Sequence, residues 1–129
     1  MMQDKQIQVL LLDDDTRILR SLARQLEEED FEVMTTVSAA EASAILNRQR
    51  FDAIVCDNEM PGRSGVQFLS QIRHEYPDMV RFMLTGSILE HNAQRAMAEL
   101  GVIKVLPKPC KAADVADSIR EAMHASQKP

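Results

Sequence analysis

Four apolar runs in the sequence each end in side chains that could take part in phosphoryl chemistry. The groups that follow these runs are the carboxylates of Asp13, Asp14 and Asp15, the carboxylate of Asp57, the hydroxyl of Thr85 with Gly86 behind it, and the ammonium of Lys108. Carboxylates held together raise one another's pKa unless a cation lies among them, and oxygen ligands with open positions suit Mg²⁺. A carboxylate beside such a metal can attack phosphorus to form an aspartyl phosphate. An ammonium, a hydroxyl and an accessible backbone N–H can then hold the phosphoryl oxygens.

Each of these residues has an ordinary explanation when it is taken alone. An acidic residue after a strand is commonly a helix N-cap, as we expect for Asp15. A lone aspartate or lysine is more often a solvated surface residue, and a lone threonine a cap. Their joint placement favours a metal-dependent phosphoryl site, because clustered charge without compensation is costly.

The apolar runs predict the elements that must position these groups. The predicted strands are Ile7 to Leu12, Phe31 to Thr36, Phe51 to Cys56, Met79 to Leu84 and Val102 to Leu106. The predicted helices are Thr16 to Glu29, a segment capped by Ser38, Ser64 to Glu75, a segment within Ile88 to Leu100, and Lys111 to His124. Such an alternation implies a parallel sheet with helices on both faces, so that the polar groups meet at the carboxyl edge of the sheet.

Three local patterns refine these elements. One apolar stripe of the first helix is predicted to face the core, and it consists of Ile18, Leu19, Leu22, Ala23 and Leu26. Ser38 with Glu41 three residues later predicts a capping box. The acidic run from Glu27 to Asp30 is interpreted as a solvated helix end.

Several motifs resemble those of the receiver domains of two-component response regulators. They are Val9 to Asp15, Asp57 with Met60-Pro61-Gly62 and Gly65, Met83 to Gly86, and Leu106 to Pro109. The resemblance covers about Ile7 to Met123 in order and spacing. It implies a flavodoxin-like three-layer α/β fold, a doubly wound five-stranded parallel sheet with strand order 2-1-3-4-5.

The resemblance also implies a role for each matching position. Asp57 would be the phosphoacceptor, and its phosphoryl group would come from a sensor histidine kinase or a histidine phosphotransfer protein. Asp14 and Asp57 would bind Mg²⁺ directly, Glu59 would add its backbone carbonyl, and Asp13 would act mainly through water. Thr85, Gly86 and Lys108 would bind the phosphoryl group and switch the domain, and the bond before Pro109 would be cis.

Two positions depart from the family pattern, and both concern readout. Val105 stands where relatives often carry an aromatic residue, and Cys110 stands where an aromatic often follows the Lys-Pro pair. Because β-branched valine is small and stiff, we predict a switch that depends little on rotation of residue 105.

Composition limits the other possibilities. The 129 residues are interpreted as one receiver domain, with its core at about 7–124 and 125–129 as a tail or the start of a linker to an output domain. The net charge of -5 argues against binding nucleic acid or anionic membrane directly. Without a signal-peptide pattern or an apolar span, a cytoplasmic location is expected. Cys56 and Cys110 are expected to be packed thiols rather than metal ligands or a disulfide.

Three other functions compete with this interpretation. A magnesium-dependent phosphatase of the haloacid dehalogenase type is suggested by Leu11 to Thr16, but Arg17 departs from that motif and no cap or late acidic pair is apparent. A binding-only pseudo-receiver would typically have lost the acceptor, an acid or the lysine. A flavodoxin would need an uncharged phosphate loop after the first strand, where this chain is acidic. The leading prediction is therefore a phosphoacceptor switch that only phosphorylates and slowly dephosphorylates itself.

Overall fold

The computed structural model describes residues 6–58, 65–86, 101–102, 104–108 and 110–126. These residues form five strands and four helices. The strands are β1 (Gln8–Leu12), β2 (Glu32–Thr36), β3 (Ala53–Asp57), β4 (Val80–Thr85) and β5 (Lys104–Pro107). The helices are α1 (Thr16–Glu28), α2 (Ala39–Arg48), α3 (Gly65–Glu75) and α4 (Ala112–Ser126). The helix predicted within Ile88 to Leu100 lies outside the described residues.

All five strands pair in parallel in the order β2-β1-β3-β4-β5. The predicted fold class and strand order are confirmed. The chain starts at β1, winds out to β2 and then returns past β1 to β3. This change of direction leaves a crevice beyond the carboxyl ends of β1 and β3, which is where open α/β sheets bind ligands.

The sheet is buried on both faces, which explains why its central strands are continuous apolar runs. In β1, Val9 and Leu11 face a core shared with α1 and α4, whereas Leu10 and Leu12 face a core shared with α2 and α3. The edge strands differ, because most residues of β2 are exposed or half-buried. Pro107 ends the edge strand β5, where a missing N–H is tolerated.

Two predictions for the helices need correction. Ile18 was predicted to be buried, yet it is 37% exposed, because α1 turns only Leu19, Leu22 and Leu26 fully into the core. The predicted capping box is half present, since the Ser38 hydroxyl accepts from the Glu41 N–H at 3.1 Å. The Glu41 carboxylate accepts instead from the Thr36 hydroxyl and the Val37 N–H, because the buried hydroxyl needs an acceptor.

The acidic end of α1 is fixed more firmly than predicted. One guanidinium nitrogen of Arg120, on α4, donates to the Glu29 carboxylate at 3.0 Å, and another donates to the Glu29 backbone carbonyl at 2.7 Å. The same guanidinium lies over the ring of Phe31, 4.9 Å from its centroid. Glu29 therefore stays partly solvated, with a side chain that is 35% exposed, and it also pairs within the chain, so that Arg120 joins the last helix to the turn between α1 and β2.

This clamp predicts a measurable loss of stability in Arg120→Ala. We expect the free energy of unfolding to fall by about 1–2 kcal/mol, because a charge-assisted backbone bond, a partly exposed ion pair and a cation–π contact are lost together. Urea denaturation measures the difference. Arg50→Ala is the matched control, since Arg50 is exposed and makes no described contact. Equal stability of the two variants would contradict the clamp.

Candidate functional site

Strand ends bring the predicted polar groups together at one edge of the sheet. Asp13 follows β1, Asp57 is the last residue of β3, Thr85 is the last residue of β4, and Lys108 follows β5. The backbone continues the sheet pairing beyond these ends. The Lys108 N–H donates to the Thr85 carbonyl at 2.9 Å, and the Asn58 N–H donates to the Leu84 carbonyl at 2.9 Å. The positions of the four groups are therefore set by the sheet rather than by loops.

An ion pair occupies the centre of this site. The Lys108 ammonium lies 2.7 Å from Asp57 Oδ1 and 3.7 Å from Asp13 Oδ2. Both aspartates are buried, whereas the lysine side chain is 23% exposed. A single ammonium thus stands beside two buried carboxylates. Burial removes water from these carboxylates, and this desolvation has a high cost in free energy that exposed carboxylates do not have.

The exposed carboxylate of Asp14 completes a cluster of three acids. One carboxylate oxygen from each of Asp13, Asp14 and Asp57 lies within 4.8 Å of the others. The pKa of Asp13 is raised from 3.8 to about 6, chiefly by burial and also by the nearby Asp57, and this is the net result after a hydrogen bond from the Asp15 N–H and the Lys108 charge have lowered it. Buried Asp13 Oδ2 accepts no hydrogen bond from the residues described. An all-oxygen donor set with excess negative charge fits a hard divalent cation such as Mg²⁺.

Gly65 has a geometric role that the sequence motif alone did not explain. A Cβ on Gly65 would lie 2.6 Å from the Asp57 carbonyl oxygen and 2.8 Å from Asn58 Cα. The Gly65 N–H also donates to the Asn58 carbonyl at 3.2 Å. The first residue of α3 therefore packs directly against the backbone of the candidate acceptor, which only glycine allows.

Two more of the predicted site residues, Gly86 and Val105, are placed by the structure. Gly86 follows β4 and is exposed, and Val105 is half-buried against the core shared with α2 and α3. Glu59 and Pro109 lie outside the described residues, so the carbonyl ligand and the cis bond stay predictions.

Beside Lys108, a groove of about 910 Å³ opens between α1 and the start of α4 and includes the exposed Ile18.

Neither cysteine is suited to nucleophilic or metal chemistry. Both are free thiols, with Cys56 buried and Cys110 partly buried. Burial raises the pKa of both thiols, and for Cys56 the charges of Asp57 and Asp13 add to the effect. Since the thiolate is the reactive form, Cys56 is a packing residue behind the acceptor.

Comparison with known proteins identifies the family. Residues 9–120 match the family of the response regulator receiver domain. The chain is 40% identical over 124 residues to the hydrogenase transcriptional regulatory protein HoxA of Cupriavidus necator, an alignment that covers 96% of this chain and 26% of HoxA. The chain belongs to the receiver domains of two-component response regulators, which are phosphoacceptor switches rather than classical enzymes. Phosphorylation on aspartate and signalling through an output domain are typical of this family.

Solved structures agree with the fold. A response regulator receiver domain from Clostridium thermocellum matches with a TM-score of 0.86 and 32% identity, over 94% of this chain and 97% of that one. The beryllofluoride-activated NtrC4 receiver domain, a dimer, matches with a TM-score of 0.85 and 31% identity, over 92% and 97% of the two chains. The present chain spans about a quarter of the length of the curated relatives it matches first. Within the described residues, no helix has the length and apolarity to cross a membrane.

The buried acid predicts a pH-dependent stability difference between wild type and Asp13→Asn in metal-free buffer. The folded chain holds a proton on Asp13 up to about pH 6, whereas the unfolded chain releases it near 3.8. The contribution of the protonated Asp13 side chain to stability is fully present below the pKa of the unfolded chain. It is lost as the pH rises through the pKa of the folded chain. We therefore expect the variant to become the more stable protein at pH 7, by up to about 3 kcal/mol.

Chemical denaturation of both proteins from pH 4 to pH 7 tests this expectation. Asp14→Asn is the control, because it removes the same charge from an exposed position in the cluster. A wild type that gains stability relative to Asp13→Asn as the pH rises would refute the assignment of Asp13 as a buried acid with a raised pKa.

Proposed function

We propose that Asp57 is the phosphoacceptor of this receiver domain and that Asp13, Asp14 and Asp57 bind Mg²⁺. The observation that carries the proposal is the Lys108–Asp57 ion pair of 2.7 Å inside the cluster of three acids. In that arrangement the acceptor lies next to a cation that can move to the incoming phosphoryl group. The family membership supports the same chemistry.

Transfer would proceed by attack of an Asp57 carboxylate oxygen on phosphorus. The P–N bond of a phosphohistidine on a sensor kinase or a phosphotransfer protein breaks, and the imidazole leaves with the bonding electron pair. Lys108 exchanges its contact with Asp57 for one with a phosphoryl oxygen, and the Thr85 hydroxyl donates to another. Asp14, Asp57 and the Glu59 carbonyl would hold Mg²⁺, with Asp13 acting mainly through water, and the bound ion would neutralise the charge that develops on these oxygens.

The same site would support slow reactions without a partner. A small acyl phosphate can supply the phosphoryl group, and attack of water on the aspartyl phosphate removes it. The groove formed by α1 and the start of α4 reaches this site at Lys108.

The wider role is proposed from the relatives. HoxA is named as a transcriptional regulatory protein, and receiver domains of this family act through an output domain. We assign residues 1–129 to the receiver, with 125–129 as a tail or linker, in a cytoplasmic protein whose output domain or target partner reads the switch. The net charge of -5 makes direct nucleic-acid binding or membrane binding by this domain unfavourable.

Substitution of the acceptor tests the assignment. With Mg²⁺ and acetyl phosphate, intact-mass spectrometry of wild type should show one added phosphoryl group that hydroxylamine removes, and Asp57→Asn should show none. Lys108→Ala should slow the modification about tenfold or more, because a charge-assisted contact is lost. Asp52→Asn is the matched control just before β3, where Asp52 accepts from the Gln8 N–H, and it should behave as wild type. Full modification of Asp57→Asn would refute the assignment.

The readout prediction concerns Val105. We propose that phosphorylation draws the Thr85 hydroxyl inward and shifts the following loop, with little gating by residue 105, whose side chain is small and stiff. Phosphorylation would then bias a pre-existing equilibrium by a few kcal/mol. Amide exchange with beryllofluoride, a phosphoryl mimic, should show the same response from Thr85 to Leu106 in wild type and in Val105→Ala. A response that is lost in the variant would make residue 105 the gate.

A further inference from the structure

One backbone contact connects the end of the edge strand β2 to the first acid of the site. The Asp13 N–H donates to the Thr36 carbonyl at 3.2 Å, one residue beyond the last register pair, Leu12 with Thr36. The Asp13 side chain is oriented separately, by the Asp15 N–H at 2.9 Å. The backbone position of Asp13, and of Asp14 after it, therefore depends on where residue 36 lies.

Thr36 is held more firmly than the rest of its strand. It is 2% exposed and is the one fully buried residue of β2, an edge strand paired only with β1. Its hydroxyl donates to the Glu41 carboxylate, and the Ser38 carbonyl lies 3.3 Å away as a second acceptor. A hydroxyl has one proton to donate, and the charged carboxylate is the stronger acceptor.

Glu41 is itself fixed at both ends. Its backbone N–H donates to the Ser38 hydroxyl at 3.1 Å, and its carboxylate also accepts from the Val37 N–H at 3.4 Å. The first turn of α2 thus holds the last residue of β2 through a side chain, where the sheet provides no second strand. Without this contact the end of an edge strand would be free to fray, and the carbonyl that holds Asp13 would move with it.

We propose that Thr36 and Glu41 are positioning residues of the metal site, which act by holding the Thr36 carbonyl against the Asp13 N–H. The inference rests on the proposed function, because it concerns the same Mg²⁺ site. It adds a specific claim about affinity. Loss of the Thr36–Glu41 contact lowers the affinity for Mg²⁺ and leaves the phosphoryl-transfer rate at saturating Mg²⁺ largely intact, since neither residue reaches the acceptor.

The test is a Mg²⁺ titration of the wild-type receiver domain and five variants of it, followed by the thermal midpoint and by the amide shift of Asp14. Thr36→Val keeps the β-branched shape and removes the hydroxyl, and Glu41→Ala removes the acceptor. Both should need about tenfold more Mg²⁺ for half-maximal response, as is usual when a partner behind a ligand is removed. Thr36→Ser and Glu41→Gln keep a donor and an acceptor and should remain close to wild type. Thr35→Val, on the exposed neighbouring residue, is the matched control.

A second measurement separates positioning from a general loss of stability. Phosphorylation rates with acetyl phosphate should show a raised Mg²⁺ requirement in Thr36→Val and Glu41→Ala, with a maximal rate close to that of wild type. Unchanged Mg²⁺ affinity in these two variants would overturn the inference even if they melt at lower temperature. So would a Glu41→Gln variant as weak as Glu41→Ala. If Thr36→Val does not fold, the Glu41 pair still decides.

Different results would overturn the proposed function and the positioning role of Thr36 and Glu41. A wild type that neither binds Mg²⁺ nor accepts a phosphoryl group would overturn the proposed function, and the inference with it. A functional wild type, accompanied by Thr36→Val and Glu41→Ala variants with normal Mg²⁺ affinity, would overturn the inference alone.

Discussion

Two buried carboxylates share one ammonium at the carboxyl edge of the sheet, and the surrounding structure is arranged around this charge balance. Asp13 and Asp57 would repel each other in a medium that screens poorly, and Lys108 reaches both of them from a third strand. The arrangement is stable enough to fold and still carries excess negative charge. The excess negative charge attracts a metal ion, either alone or together with a phosphoryl group. The same charge imbalance that lowers the stability of the fold therefore favours binding of the metal ion.

The sheet makes this imbalance possible by holding the groups rigidly. β1 and β3, which carry the acids, are central strands buried on both faces, and the register between them places Leu12 beside Cys56, one residue before each acid. Lys108 comes from the far edge, and its backbone is tied to Thr85 on β4. Rigid elements therefore carry the charged groups, and the apolar cores on both sides of the sheet offset the cost of burying them.

Most of the fold and of the site could be predicted from the sequence, because both depend on short-range patterns. Alternating apolar runs predicted the elements, and the residues after each run predicted which groups would meet. What could not be predicted are the partners that side chains choose between different segments, whether those segments are close or far apart in sequence. Glu41 bonds to Thr36 rather than to the Ser38 N–H, and Arg120 bonds to Glu29 from 91 residues away. Ile18 fits the apolar period of α1 and is still exposed, because periodicity gives the direction of a stripe but not its width.

The close contact at Gly65 has a consequence for how related sequences are interpreted. This residue touches neither metal nor phosphoryl group, yet any side chain there would push on the backbone of the acceptor itself. A sequence could therefore retain every acid, the threonine and the lysine and still have a misplaced nucleophile. Judging from sequence whether a member of this family is chemically competent thus requires examining a position with no chemistry of its own. The absence of one carbon atom at that position is as informative as the presence of a carboxylate.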